Sequence, residues 1–73
     1  MCTFIFRYTD GSEHEFNNIN RVEYVRSSTI VVNSNELLTH RFPTKCDLHL
    51  FSETSNFTVS GIDLVWIEVA KEC

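Results

Sequence analysis

The side chains of this sequence first weighed as metal ligands, with carboxylates beside them, or as nucleophile and base are three histidines, His14, His40 and His49, and three cysteines, Cys2, Cys46 and Cys73. Their spacing narrows the chemistry. A closed structural metal site needs paired halves such as C-x-x-C or H-x₃-H, and His40, Cys46 and His49 match neither. A cysteine nucleophile needs a base beside it and a lowered thiolate pKa, which Cys46 with His40 or His49 alone could offer. A small apolar cysteine in a β core is the simpler reading of Cys46. Glu13 and Glu15 share one face of a strand and read as a solvated edge rather than an acid–base pair. Gly11 and Gly61 are isolated, which leaves no glycine-rich phosphate loop. A chain of 73 residues also has little room for a reactive shell, its supporting shell and a water-excluding pocket. The expectation is a protein that is not an enzyme and carries no metal or cofactor.

What remains is recognition. Arginine and aromatic side chains supply most binding hot spots, because arginine's planar fork suits phosphate and carboxylate while an aromatic face stacks on a base. On that chemistry the candidate ligand-binding residues are Arg7, Tyr24, Arg26, His40, Arg41 and Trp66. His40-Arg41-Phe42 with Lys45 is the one local concentration of positive charge beside an aromatic ring. The competing reading makes Phe42 and Trp66 core residues and leaves Arg41 and Lys45 in solvent.

Strands must position these residues. Val, Ile, Thr and aromatic residues dominate, alanine occurs once and glutamine never, so the residues that normally fill helices are missing. Thr3 to Thr9 alternates, with Phe4, Phe6 and Tyr8 on one face and Ile5 and Arg7 on the other. Asp10-Gly11 then predicts a tight hairpin, returned by Glu13 to Phe16. After a break at Asn17-Asn18, Arg21 to Arg26 predicts a third strand with Val22 and Tyr24 on one face. Thr29 to Val32 predicts a fourth, apolar on both faces and hence buried. Asn33 to Glu36 has the spacing of a helix start, so Ser34 to Arg41 is either one or two helical turns or, from Leu37 to Phe42, an edge strand. Leu48 to Phe51 and Phe57 to Val59 predict a second hairpin. Ile62 to Val69 is apolar on both faces, with Leu64 and Trp66 opposite Val65, Ile67 and Val69, and predicts a central or sandwiched strand.

Six or seven strands in one domain spanning 1–73 are too many to stay flat. The expected fold is all-β, or β-dominated with one short helix: a small antiparallel meander curled into a partly open barrel. A core this small needs support, and exposed edges need partners, so self-association into a homo-oligomer is expected. Three cysteines without a close pair argue against a disulfide framework. Met1 runs directly into the first alternating segment, and no apolar run approaches the roughly twenty residues of a membrane span. A reduced, cytoplasmic setting without membrane contact follows as the expectation. The formal charge of −4 is spread along the chain with no basic stripe, which disfavours general DNA or RNA binding.

Phe4-Ile5-Phe6-Arg7-Tyr8-Thr9-Asp10-Gly11-Ser12, continuing to Phe16-Asn17-Asn18-Ile19, resembles the opening of many short proteins of phages and prophages of Gram-positive bacteria. Leu48-His49-Leu50-Phe51-Ser52 and Asn56-Phe57-Thr58-Val59-Ser60, with Trp66-Ile67-Glu68-Val69, are similar to their later hairpin and closing strand. The resemblance implies an all-β fold and a mobile-element origin, and carries no site residues across. In that setting, acting in the host cytoplasm, the expected role is inhibition of host defence. One mechanism is sequestration of a small anionic nucleotide signal at an oligomer interface, through arginine and aromatic side chains. The alternative is occlusion of a host protein by an acidic β surface, and a structural or assembly role is the third reading.

Overall fold

The computed structural model describes residues 1–72. It is all-β, with seven strands in two antiparallel sheets and one 3-10 turn at Ser34–Glu36. The strands are β1 (Cys2–Tyr8), β2 (Glu13–Ile19), β3 (Arg21–Val25), β4 (Thr29–Asn33), β5 (Leu48–Phe51), β6 (Asn56–Val59) and β7 (Leu64–Lys71). Three strands form one sheet in the order β2-β1-β7, and four form the other in the order β4-β3-β5-β6. The two lie against each other as a partly open barrel, not a closed one.

Local chemistry explains the hairpins. At β1–β2 the Gly11 N–H donates to the Tyr8 carbonyl at 3.0 Å, and Gly11 takes a φ of 86°, which costs a residue without Cβ little. Asp10 braces the turn by accepting from the Ser12 N–H at 2.8 Å. At the far end of β2 the ladder shifts between its Cys2–Ile19 and Phe4–Phe16 pairs, and Asn18 adopts a φ of 61°. This bulge bends the chain, and Asn20 then bonds its N–H to the Phe51 carbonyl at 2.9 Å. The backbone thereby passes from one sheet to the other within a residue, as corner strands do.

Alternation builds the core. Phe4 and Phe6 of β1, Val22 and Tyr24 of β3, and Leu48 and Leu50 of β5 all point inward and are buried. Large side chains of this kind contribute roughly 1.5–3 kcal/mol each when withdrawn from water. Between β2 and β6 no strand pairing closes the barrel among the described residues. Side chains bridge that gap instead: the Phe16 and Phe57 rings lie 5.0 Å apart, and the Tyr8 hydroxyl donates to the Ser60 carbonyl at 3.3 Å. The segment from residue 34 to 47 plugs another opening, sinking Leu37 completely and setting Phe42 edge-on to Phe4 with ring centroids 5.3 Å apart. No helix of the described residues is long and apolar enough to cross a membrane.

Three expectations need correction. The segment Leu37 to Phe42 is not an edge strand, since it follows a single 3-10 turn and packs as a plug. Strand β4 is an edge, and Val31 on its outer face is 46% exposed. Strand β7 is also an edge rather than central, and its apolar faces do not alternate simply. Arg7 pairs with Trp66 but Tyr8 pairs with Leu64, so Val65 is an extra residue that flips the phase. Leu64, Ile67 and Val69 therefore face the core, while Val65 and Trp66 are left 58% and 51% exposed.

Candidate functional site

Alternation along three paired strands decides which side chains share the outer face of the β2-β1-β7 sheet. Cross-strand partners point the same way, so Ile5 lies between Glu15 and Glu68, and Arg7 lies between Glu13 and Trp66. Arg7 is held from both sides. Its Nε donates to Glu13 Oε2 at 2.6 Å, and its guanidinium carbon stands 5.2 Å from the centre of the Trp66 ring. Both members of the ion pair are about half exposed, so it orients Arg7 more than it stabilises the fold. Three carboxylates against one guanidinium leave this face with two negative charges around an apolar centre of Ile5, Val65 and Trp66.

The six candidate residues fall in separate places. Arg7 and Trp66 are brought together here, joined by the β1–β7 register. Tyr24 and His40 meet elsewhere, the Tyr24 hydroxyl lying 2.7 Å from His40 Nε2, with the Phe42 ring 4.8 Å from the imidazole. Tyr24 is buried, so this pair fastens the plug to the sheet and offers no open ring for stacking. Arg26 sits in the β3–β4 turn and Arg41 on the plug, both exposed, and neither forms an ion pair among the described residues. The two free arginines and the exposed tryptophan share no pocket among the cavities described below.

Those cavities are open hollows. One of about 440 Å³ lies between the Asn18 bulge and the β5–β6 turn, lined by Asn17, Asn18, Ser52 to Ser55 and Phe57. A second, of about 200 Å³, follows the gap between β2 and β6, where burial raises the Tyr8 phenol above its ordinary pKa. A third, of about 450 Å³, brings Cys46 and His49 to one rim with Lys45 and Asp47. His49 is turned outward there, its Nδ1 lying 3.2 Å from Thr58 Oγ1. Among the described residues no group of three His, Cys, Asp or Glu side chains converges as a metal site.

The outer face also holds residues that sequence reasoning did not select. Alternation alone sets Ile5 beside Arg7 and Glu68 beside Trp66, but the register joins the two pairs and the bulge adds Val65, neither of which a local motif announces. No family model, curated protein or solved structure matches the chain, so the outer face, with Trp66 beside an Arg7 anchored on Glu13, is the site the geometry itself identifies.

Proposed function

We propose that this protein works by binding another protein, through the outer face of its three-stranded sheet. The observation that carries this reading is Trp66, half exposed beside the Val65 bulge of β7, flanked by Arg7 and set among Glu13, Glu15 and Glu68. An exposed aromatic within a polar rim is the usual form of a hot spot, and the excess of carboxylate selects a basic partner surface. Within the phage setting that the sequence resemblance implies, such a partner is a host defence protein whose basic, nucleic-acid-binding face is occluded. No catalytic step is needed.

Sequestration of a nucleotide is the second reading, favoured by the adjacency of a guanidinium and an indole ring. It stands lower because Arg7 already bonds a carboxylate at 2.6 Å, which a phosphate would have to displace.

Affinity capture from host lysate with the wild type, Glu15→Lys/Glu68→Lys and Arg26→Glu/Arg41→Glu separates the two, with native mass spectrometry of the gently purified protein. Protein occlusion predicts a captured protein lost on carboxylate reversal and kept on arginine reversal. A retained mass of nucleotide size that disappears in Arg7→Ala would instead establish sequestration.

A further inference from the structure

Two of the four sheet edges face each other across the seam between β2 and β6, which no strand pairing closes among the described residues. Asn17 and Asn18 lie with the β5–β6 turn at one end of the seam and His14 lies with Ser60 at the other, so the two strands run antiparallel. Their hydrogen-bonding phase can be read from the turns. The Tyr8 N–H donates to the Ser12 carbonyl at 3.0 Å, so Phe6 and His14 exchange bonds in the β1–β2 ladder, and Glu13 and Glu15 turn their main-chain groups away from β1. The Ser52 N–H donates to the Ser55 carbonyl at 2.8 Å, so Leu50 and Phe57 exchange bonds in the β5–β6 ladder, and Asn56 and Thr58 turn theirs away from β5. Both sets point into the seam, and no hydrogen bond from another described residue meets them.

The floor and the rim of the seam differ. His14 and Phe16 pair with buried Phe6 and Phe4, and Phe57 and Val59 pair with buried Leu50 and Leu48, so these four side chains face the floor. Glu13, Glu15 and Thr58 alternate with them and stand on the outer rim. Arg7 neutralises Glu13, whereas Glu15 forms no ion pair among the described residues. Hollows of about 440, 200 and 270 Å³ follow one another along the seam from the Asn18 bulge to Asp63, the last two sharing Tyr8, His14 and Ser60.

We propose that the seam takes one extended segment of a partner polypeptide, seated as the strand that closes the barrel, with apolar side chains turned to the floor and lysine or arginine turned to the rim. An extended backbone is the ligand that offers N–H and C=O groups alternately to two walls, each at about 4.7–4.9 Å. Apolar floor and polar rim impose a period of two on the guest, and the free Glu15 carboxylate, in a chain of net charge −4, selects its sign. One tie yields: the Tyr8 hydroxyl leaves the Ser60 carbonyl, now 3.3 Å away, and a guest N–H replaces it. This inference rests on the protein-binding reading and names the form in which the partner is held, at the edge of the three-stranded sheet in addition to its outer face.

The probe is a capped peptide of alternating lysine and valine, matched in length to the seven residues of β2, titrated into isotope-labelled protein and followed by NMR. Saturable binding at up to millimolar peptide is expected, with slowed exchange of the Glu13, Glu15, Asn56 and Thr58 amides. The same peptide with glutamate for lysine, or with every second amide N-methylated, should bind about tenfold or more weakly. Thr58→Pro removes an N–H that the β5–β6 ladder does not use, so it should abolish binding with unchanged far-UV circular dichroism. Glu15→Lys should weaken binding about tenfold. No binding at millimolar peptide, or protection that appears on Ile67 and Val69 of β7 instead, would overturn the proposal. So would equal binding of the N-methylated peptide, which would reduce the effect to charge attraction. The peptide assay contains no host protein, so it can fail while capture by the outer face succeeds, and the two readings are separable.

Discussion

Replacing Gly61 by alanine adds one methyl group where the fold has no space. An ideal Cβ at that position would lie 2.6 Å from the Cys46 carbonyl oxygen and 2.7 Å from the Cys46 carbonyl carbon and nitrogen. These are backbone atoms, so no side chain can rotate out of the way. Reaching ordinary contact requires the two loops to separate by about 0.8 Å. That movement stretches the bond from the Gly61 N–H to Asp47 Oδ1, now 2.9 Å. Overpacking of this kind costs about 1–3 kcal/mol, and a weakened hydrogen bond adds about 1 kcal/mol. The loss of unfolded-state freedom on going from glycine to alanine returns roughly 0.5 kcal/mol, leaving about 2.5 kcal/mol of destabilisation. At about 2.1 cal/mol/K per residue, 73 residues unfold with an entropy of ~150 cal/mol/K, so Tm should fall by about 16 °C. Thermal and urea unfolding followed by circular dichroism measure this directly. Gly11→Asn is the control, because Gly11 has a positive φ but nothing within 4 Å of the added atom, and asparagine tolerates that conformation. A Gly61→Ala variant within 0.5 kcal/mol of the wild type would refute the argument, which rests on contact between the Gly61 and Cys46 loops.

Phe42→Ala removes the ring that stands edge-on to Phe4 and Tyr24 and close to His40; it should cost about 2–3 kcal/mol in urea unfolding and raise amide exchange across the plug. Tyr24→Phe, which deletes only the hydroxyl 2.7 Å from His40 Nε2, should cost about 1 kcal/mol by the same assay. The Asp10 carboxylate should titrate below its ordinary range, held there by hydrogen bonds from the Ser12 hydroxyl and N–H with a smaller attraction to His14. Because its folded pKa lies below its unfolded one, this contribution to hairpin stability is complete above the unfolded value and is lost as pH falls through the folded value. NMR titration of Asp10 in the wild type and in Ser12→Ala, which should return it upward, checks the direction.

The strands and hairpins were legible because each is dictated by nearby residues. Asp10-Gly11 specifies its turn through a positive φ and an Asx bond, and the Phe4, Phe6, Val22 and Tyr24 alternation marks the buried faces. Strand β7 was not legible in the same way. Apolarity on both faces is shared by central strands and by edges that await a partner, and an unannounced bulge at Val65 reverses which residues face inward. The candidate site shows the same division. Arg7 and Trp66 were chosen by residue type, but only the β1–β7 register makes them neighbours, whereas the equally suitable Arg26 and Arg41 lie on a turn and the plug. Long-range pairing has no local sequence signature.

The central strand β1 is flanked by β2 from the next turn and by β7 from the far end of the chain, with Cys2 opposite Lys71. This arrangement has a temporal side. On the ribosome β1 emerges first, yet half of its ladder has to wait for β7, roughly 3–12 s later at 5–20 residues per second. Phe4 and Phe6 lack their covering sheet for most of that interval, because the opposing sheet is completed only by β6 at Val59, shortly before β7. Folding of this sheet is thus deferred until β7 has been synthesised, and nascent chains are most open to chaperones and proteases while they hold a finished hairpin with no sheet to join.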